Sequence, residues 1–405
     1  MKWQIFICGR DRARATAVKI LLYDWNQRTT YVNREDIHDA FRQSGIAFDT
    51  FLFDFEQENI EELVSFFAEL SADAYDFCFS INYFPELSEL CHIKGLKYIA
   101  WGYDCPFNVR NIEKTLGNPN NYVFCFDRVQ AETYQKQGFD TVYYLPLGVN
   151  AKRYKKMIPS AAQRQKYKAQ ISFIGSLYEG KYPAVAEICT PYAKGYMDAV
   201  INAQQQLYGA YILNDVIDER FIEDLNVHFK ELQGDTQFRL SKAELVHLLD
   251  QETSRRARLV LLNLLGMRFD TKLYSTQEYA MLRGVKCCGE VNYYKEMPYV
   301  FASSDINLNI SVKGIQSGMP QRALDVMASG GFLLSNYQPE LVEYFSYGED
   351  MMVYESMEDA VEKCRFYLEN DDLRKEIAQR GRRRVLEEHN LPNKVREMMR
   401  TAGII

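Results

Sequence analysis

The feature that most constrains this chain is its alternation of short apolar runs with amphipathic segments. The runs are KILLYDW (residues 19–25), FDTFLFDF (48–55), YDFCFSIN (75–82), LKYIAWGYD (96–104), NYVFCFD (121–127) and TVYYLPLGVN (141–150). Between them stand NREDIHDAFRQSG (33–45), ENIEELVSFFAELS (58–71), PELSELCHIKG (85–95) and RVQAETYQKQG (128–138). A continuous apolar run is how a strand covered on both faces reads. Strands alternating with helices at this spacing predict a doubly wound parallel sheet. WQIFIC (3–8) precedes the pattern and reads as part of an added edge hairpin, with an arginine-containing turn after it.

After residue 150 the pattern breaks. AKRYKKMIPSAAQRQKYKAQ (151–170) is basic, polar and irregular, which suits a linker between domains. A new strand is expected at ISFIGS (171–176). From about 184 to 266 only helical patterns appear, such as FIEDLNVHFKELQ and KAELVHLLDQETSRRARLVLLNLLG. The alternation then resumes through FDTKLYS, VKCCGEV, INLNIS and MMVYES. The reading is therefore an N-terminal Rossmann-like domain over residues 1–155 and a second over 165–385, the latter carrying a helical insertion. Helices at 386–405 close the chain and are free to cross back to the first domain. The arginine run in RGRRR reads as a solvated face. Two such sheet domains joined by a linker make a cleft, and ligands in such sheets sit outside the carboxyl ends of the strands.

Composition excludes several classes. A net charge of -7 leaves no basic footprint for nucleic acid. No apolar run reaches the length of a membrane span, and the opening residues lack a signal-peptide pattern, so a cytoplasmic protein is expected. The nine cysteines form no C-x-x-C pair, and the five histidines form no metal-binding spacing. No D-x-D stands at a strand end of the second domain, so no required divalent ion and no cofactor are expected.

One stretch concentrates the chemistry. SGMPQRALDVMASGGFLLSN (317–336) reads as a small-residue turn, a proline in the first helical turn, a short helix, a Gly330 stop and a strand. Such a turn into a helix presents backbone N–H groups and the positive helix end to an anion, or serves as ordinary punctuation between helix and strand.

Across the chain the motifs SINYFPELSELCH, KYIAWGYDCP, YVFCFDR, YYLPLGVN, ISFIGSLYE, YYKEMPYVFASSDINLNIS, IQSGMPQRALDVMASGGFLLSNYQPELVEYF and MMVYES occur in order. In this the chain resembles GT-B-fold glycosyltransferases, and more closely the CgeB-like, spore-maturation-protein-like group. The resemblance implies metal-independent transfer of a sugar from a nucleoside-diphosphate donor, a UDP- or TDP-sugar, to a protein, cell-envelope or spore-surface glycan. It implies that Ser317, Gly318 and Met319 face the diphosphate, that Arg322 clamps phosphate oxygens and that Asp325 takes the ribose diol. Gly175 and Ser176 would lie at the diphosphate, and Gly289 and Val291 would hold the base through backbone groups. Asp104, just past a strand of the first domain, would act as general base or bind a sugar hydroxyl, or else be a turn aspartate. Many retaining relatives carry two glutamates seven residues apart around this helix. Here the second place is Asp325 and the first falls on Ser317, which leaves retention or inversion open. A nucleotide-sugar epimerase on the same fold and a non-catalytic sugar-binding or assembly protein are the rival readings.

Overall fold

The computed structural model describes residues 6–7, 18–26, 34–54, 60–107, 109–178, 180–233, 239–276 and 280–405. The arginine-containing turn expected before residue 18 lies outside them. The chain divides into two compact units, Met1–Lys155 with Val385–Ile405, and Lys156–Arg384.

The first unit is built from β1 (Phe6–Ile7), β2 (Lys19–Asn26), α1 (Arg34–Gln43), β3 (Ala47–Asp54), α2 (Ile60–Glu69), β4 (Phe77–Ile81), α3 (Pro85–Lys94), β5 (Lys97–Trp101), α4 (Glu113–Leu116), β6 (Asn121–Cys125), α5 (Arg128–Lys136), β7 (Val142–Tyr144) and α6 (Ala151–Lys156). Its sheet runs β1-β3-β2-β4-β5-β6-β7. All neighbours are parallel except β1, which pairs antiparallel with β3 at the edge, Phe6 opposite Thr50. Every residue of β4 is buried, and only Lys97 of β5 is partly open, which is why these runs carry no polar alternation. Asp127 caps α5 by accepting from the Gln130 N–H, and Gly95, with φ 66°, ends α3 in the left-handed region. The C-terminal segment packs on this unit. Val149 donates to the His389 carbonyl at 2.8 Å, and Lys97 Nζ reaches the Ala402 carbonyl at 2.6 Å.

The second unit holds α7 (Ala161–Tyr167), β8 (Ala169–Ile174), α8 (Tyr182–Glu187), α9 (Pro191–Gln206), α10 (Leu213–Val216), α11 (Glu219–Gln233), α12 (Lys242–Gly266), β9 (Thr271–Tyr274), β10 (Val285–Cys287), α13 (Met297–Ser303), β11 (Ser304–Asn309), α14 (Gln321–Ala328), β12 (Leu333–Asn336), α15 (Pro339–Tyr344), β13 (Met352–Tyr354), α16 (Met357–Glu369) and most of α17 (Asp371–Glu388). The final helix, α18 (Leu391–Thr401), packs against α1. The sheet order is β10-β9-β8-β11-β12-β13, all parallel. Among the described residues, helices α8 to α12 stand between β8 and β9. Part of this insertion has a core of its own around Met197, Ile201, Leu213, Leu245 and Leu249. The buried apolar face of α12 continues into the sheet core through Leu259, Leu261, Leu262 and Leu265.

Two local expectations are corrected. The stretch read as an irregular linker forms α6 and α7. Ser160 and Gln163 make a reciprocal capping box at the start of α7, a local signal strong enough to fix a helix within a charged segment. Pro320 is the N-cap of α14, one position before the first helical residue, its φ of -68° and ψ of 144° being those of extended rather than helical backbone. Gly330 takes φ 81° just past α14 and donates to the Met327 carbonyl, the stop expected of it.

Candidate functional site

In the second unit the strand order reverses between β8 and β11. In open α/β sheets the crevice outside the carboxyl ends of the strands at such a reversal is where ligands bind. Gly175 and Ser176 follow β8 directly, and the segment from Ile310 to Pro320 follows β11. These two segments are adjacent because β8 and β11 are paired, Leu308 opposite Phe173.

The β11–α14 segment is tied down from two sides. On one side the polar positions Asp250, Ser254 and Arg258, four residues apart, form a stripe along α12. Arg258 donates from Nε and Nη2 to the Ile310 carbonyl (3.1 and 2.6 Å) and from Nη1 to the Ser176 carbonyl (2.5 Å). It thereby joins the ends of β8 and β11. Ser254 Oγ accepts from the Lys313 N–H at 3.3 Å, and the Asp250 carboxylate accepts from the Gly314 N–H. Lys313 Nζ donates to the Leu207 carbonyl at 2.7 Å and lies 4.1 Å from the centre of the Tyr208 ring. Burial pushes the Asp250 carboxyl up to about 7, against the opposing effects of the Gly314 N–H, Arg258 and Lys313. Burial also brings Lys313 down to about 8, with Asp250 acting the other way. On the other side Ser311 donates to Asn336 Oδ1 at 2.8 Å and Gln338 Nε2 to the Ile315 carbonyl at 3.2 Å. Ser317 Oγ donates to Glu340 Oε1 at 2.7 Å, while the Glu340 N–H donates back to the Ser317 carbonyl at 3.0 Å. A buried carboxylate therefore stands at the turn, supplied by α15 rather than by position 317.

Ser317, Gly318 and Met319 are all buried in this turn and lead through Pro320 into α14. Asp325 is 1% exposed. Its Oδ1 accepts from Tyr293 Oη and from Gln321 Nε2, each at 3.0 Å. Arg322, on the same helix, turns toward α13. Its Nη1 lies 2.7 Å from Met297 Sδ and its guanidinium 5.7 Å from the Phe301 ring centre. Ser176 is exposed, and its Oγ accepts from the Tyr178 N–H at 2.9 Å. Gly289 and Val291 lie past the end of β10, at the sheet edge and two strands from β8. Gly289 has φ 74° with open space where a side chain would be, so the strand-end turn itself requires glycine.

Asp104 belongs to the first unit. It follows β5, and the neighbouring strand β4 is followed by Asn82, which has φ 63°. Asn82 Oδ1 accepts from the N–H groups of Tyr103 (2.7 Å) and Asp104 (3.1 Å), and its Nδ2 donates to Asp104 Oδ2 at 2.7 Å. Burial of the carboxyl group raises its pKa, with the Asn82 bond working against the rise. At the strand reversal of this unit, Asp24 pairs with Arg34 (2.6 Å) and lies 3.3 Å from His38 Nε2.

Sequence reasoning missed Arg258, Lys313, Asp250, Tyr293 and Glu340. The polar stripe in an otherwise leucine-rich helix was the available signal for the α12 residues. Among the described residues no cluster of three or more histidine, cysteine, aspartate or glutamate side chains could hold a metal ion. No helix among them is long and apolar enough to cross a membrane.

Two parallel-sheet units of this topology define the GT-B fold, and solved structures bear this out. UDP-glucose-bound HepE from Anabaena is 10% identical with a TM-score of 0.53, covering 96% of this chain and 100% of that one. A glycosyltransferase from Rickettsia africae is 11% identical with a TM-score of 0.53, covering 95% and 98%. The BGT of phage T4 bound to its UDP-glucose substrate is 9% identical with a TM-score of 0.53, covering 95% and 99%. In sequence, residues 245–400 match the family described as glycosyl transferase-like. No curated protein matches the chain.

Proposed function

We propose that this protein is a glycosyltransferase that moves a sugar from a nucleoside-diphosphate donor to a protein or a cell-envelope or spore-surface glycan, in the manner of the CgeB-like group. The observation that carries the reading is Asp325, a buried carboxylate oriented by Tyr293 and Gln321 on the helix that follows the glycine turn. A carboxylate accepts several hydrogen bonds at once, which suits it to the paired hydroxyls of a ribose diol. The turn Ser317–Met319 and the start of α14, with the charge of Arg322, favour the diphosphate. Gly175 and Ser176 border it, and Gly289 and Val291 take the base. The reaction generates negative charge on the departing nucleoside diphosphate, and fixed cations with a helix start stabilise it with no metal required. Asp104 is the candidate base for the acceptor hydroxyl, burial raising its carboxyl above its ordinary value and so making it the more basic. UDP- and TDP-sugars are the expected donors, and the cytoplasm is the expected compartment. The two solved structures with UDP-glucose bound, although distant in sequence, support a nucleotide-sugar donor.

A thermal-shift screen of UDP-, GDP- and TDP-sugars tests this. A donor at a hundred times its Kd adds about 2.7 kcal/mol of apparent stability. A shift with one nucleotide class, followed by sugar release or transfer from it, is the expected result. No shift with any of them at millimolar concentration overturns the reading.

A further inference from the structure

Arg258 is 7% exposed, so its charge is largely removed from water. Among the described residues its hydrogen bonds go to neutral carbonyls, those of Ile310 and Ser176. Its guanidinium also lies over the rings of Phe173 (5.4 Å) and Tyr178 (4.8 Å). These bonds use fewer N–H groups than an arginine carries. Among the described residues no carboxylate touches it, and Asp250 acts on it only through space. A buried cation bonded to dipoles alone lacks the compensation that buried charges ordinarily have. The carboxyl of Asp250, pushed up to about 7, is itself only partly ionised near neutrality and supplies part of that compensation.

The place of this charge is specific. It sits where β8 and β11 end, at the reversal of strand order. The guanidinium of Arg322 on α14 packs against α13. We infer that Arg258, carried by the helical insertion, is a second cation, besides Arg322, that receives the diphosphate of the donor and stabilises it as a leaving group. The inference rests on the nucleotide-sugar reading above and adds a residue and a purpose for the insertion. α12 holds the two ligand-bearing loops together through Arg258 and leaves the remaining N–H groups of the same side chain for an anion.

The test compares a nucleoside with its diphosphate, using the base selected by the thermal-shift screen. Calorimetry on the full chain gives the ratio of the two affinities for wild type, Arg258→Gln and Arg258→Lys. Glutamine keeps a donor for the Ile310 carbonyl and loses the charge, whereas lysine keeps both. The inference expects the diphosphate-to-nucleoside ratio to fall at least tenfold in R258Q and to stay within about threefold of wild type in R258K. A purely structural role would weaken nucleoside and diphosphate together and leave the ratio unchanged, which overturns the inference while the donor reading stands. Wild type binding no nucleoside diphosphate at all overturns the reading itself. A wild-type complex crystallised with the nucleoside diphosphate gives the answer even where variants fail to fold. An Arg258 nitrogen within hydrogen-bond distance of a phosphate oxygen supports the inference, and phosphates lying away from Arg258 refute it.

Discussion

Replacing Asp325 with asparagine puts the donor-site reading at risk most directly. The carboxylate is buried, with Tyr293 Oη and Gln321 Nε2 each 3.0 Å from Oδ1. Asparagine keeps one carbonyl oxygen for these donors, so the local hydrogen bonds survive if the amide oxygen takes the Oδ1 position. What it loses is the charge and the second acceptor, the atoms assigned to the ribose hydroxyls. A hydrogen bond to a charged group contributes about 1.5–3 kcal/mol, so the Kd for the nucleoside diphosphate should rise roughly 10- to 150-fold. The assay is titration calorimetry with the ribonucleoside diphosphate and with its 2′,3′-dideoxy analogue, alongside thermal melting. The dideoxy compound should bind wild type and D325N about equally, because neither can use the missing hydroxyls. Tyr293→Phe should cost less, about 0.5–1.5 kcal/mol, and its effect should largely vanish in the D325N background, since both changes act on the same oxygen. An unchanged affinity for the ribonucleotide in a folded D325N protein would refute the assignment.

Other predictions follow from particular contacts. Turnover should persist in excess EDTA; activity lost on chelation and restored by magnesium or manganese would sink the metal-free mechanism. Asp104→Asn should keep the Asn82 contact and the melting temperature while slowing transfer about 10²-fold, with donor affinity unchanged. The wild-type rate should rise with pH through a value above the usual carboxylate range, a limb absent from the variant. Ser317→Ala removes a donor from the buried Glu340 carboxylate and should cost about 1–3 kcal/mol in denaturant unfolding. The Asp250 carboxyl has a folded pKa raised to about 7, so its contribution to stability is present at low pH and is lost as pH rises from about 4 through 7. Between pH 5 and 7 wild type should therefore lose roughly 2 kcal/mol more than Asp250→Asn, read as several degrees of melting temperature. Parallel profiles for the two proteins would show that Asp250 does not titrate in that range.

The legibility of this chain divides along the range of its interactions. The runs at β4 and β5 could be read because a strand buried on both faces must be apolar throughout, and that requirement is local. The end of α14 could be read because only a residue tolerant of positive φ closes a helix as Gly330 does. α6 and α7 were lost to composition. A basic stretch resembles a linker until the Ser160–Gln163 pairing is weighed, and that pairing is as local as the glycine stop. The site was visible only where its chemistry is contiguous. Ser317, Arg322 and Asp325 lie within nine residues of chain, and one motif displays them together. Arg258 stands 52 residues from Ile310 and 82 from Ser176, and Glu340 is 23 from Ser317. No periodicity encodes such partners, because what selects them is the burial of a charge or of a carbonyl that must be satisfied once the sheet has formed. The same reasoning accounts for the reading of the insertion as a bare run of helices. Its apolar face announces that it packs, while the stripe of Asp250, Ser254 and Arg258 acquires meaning only when the ends of β8 and β11 come to lie against it.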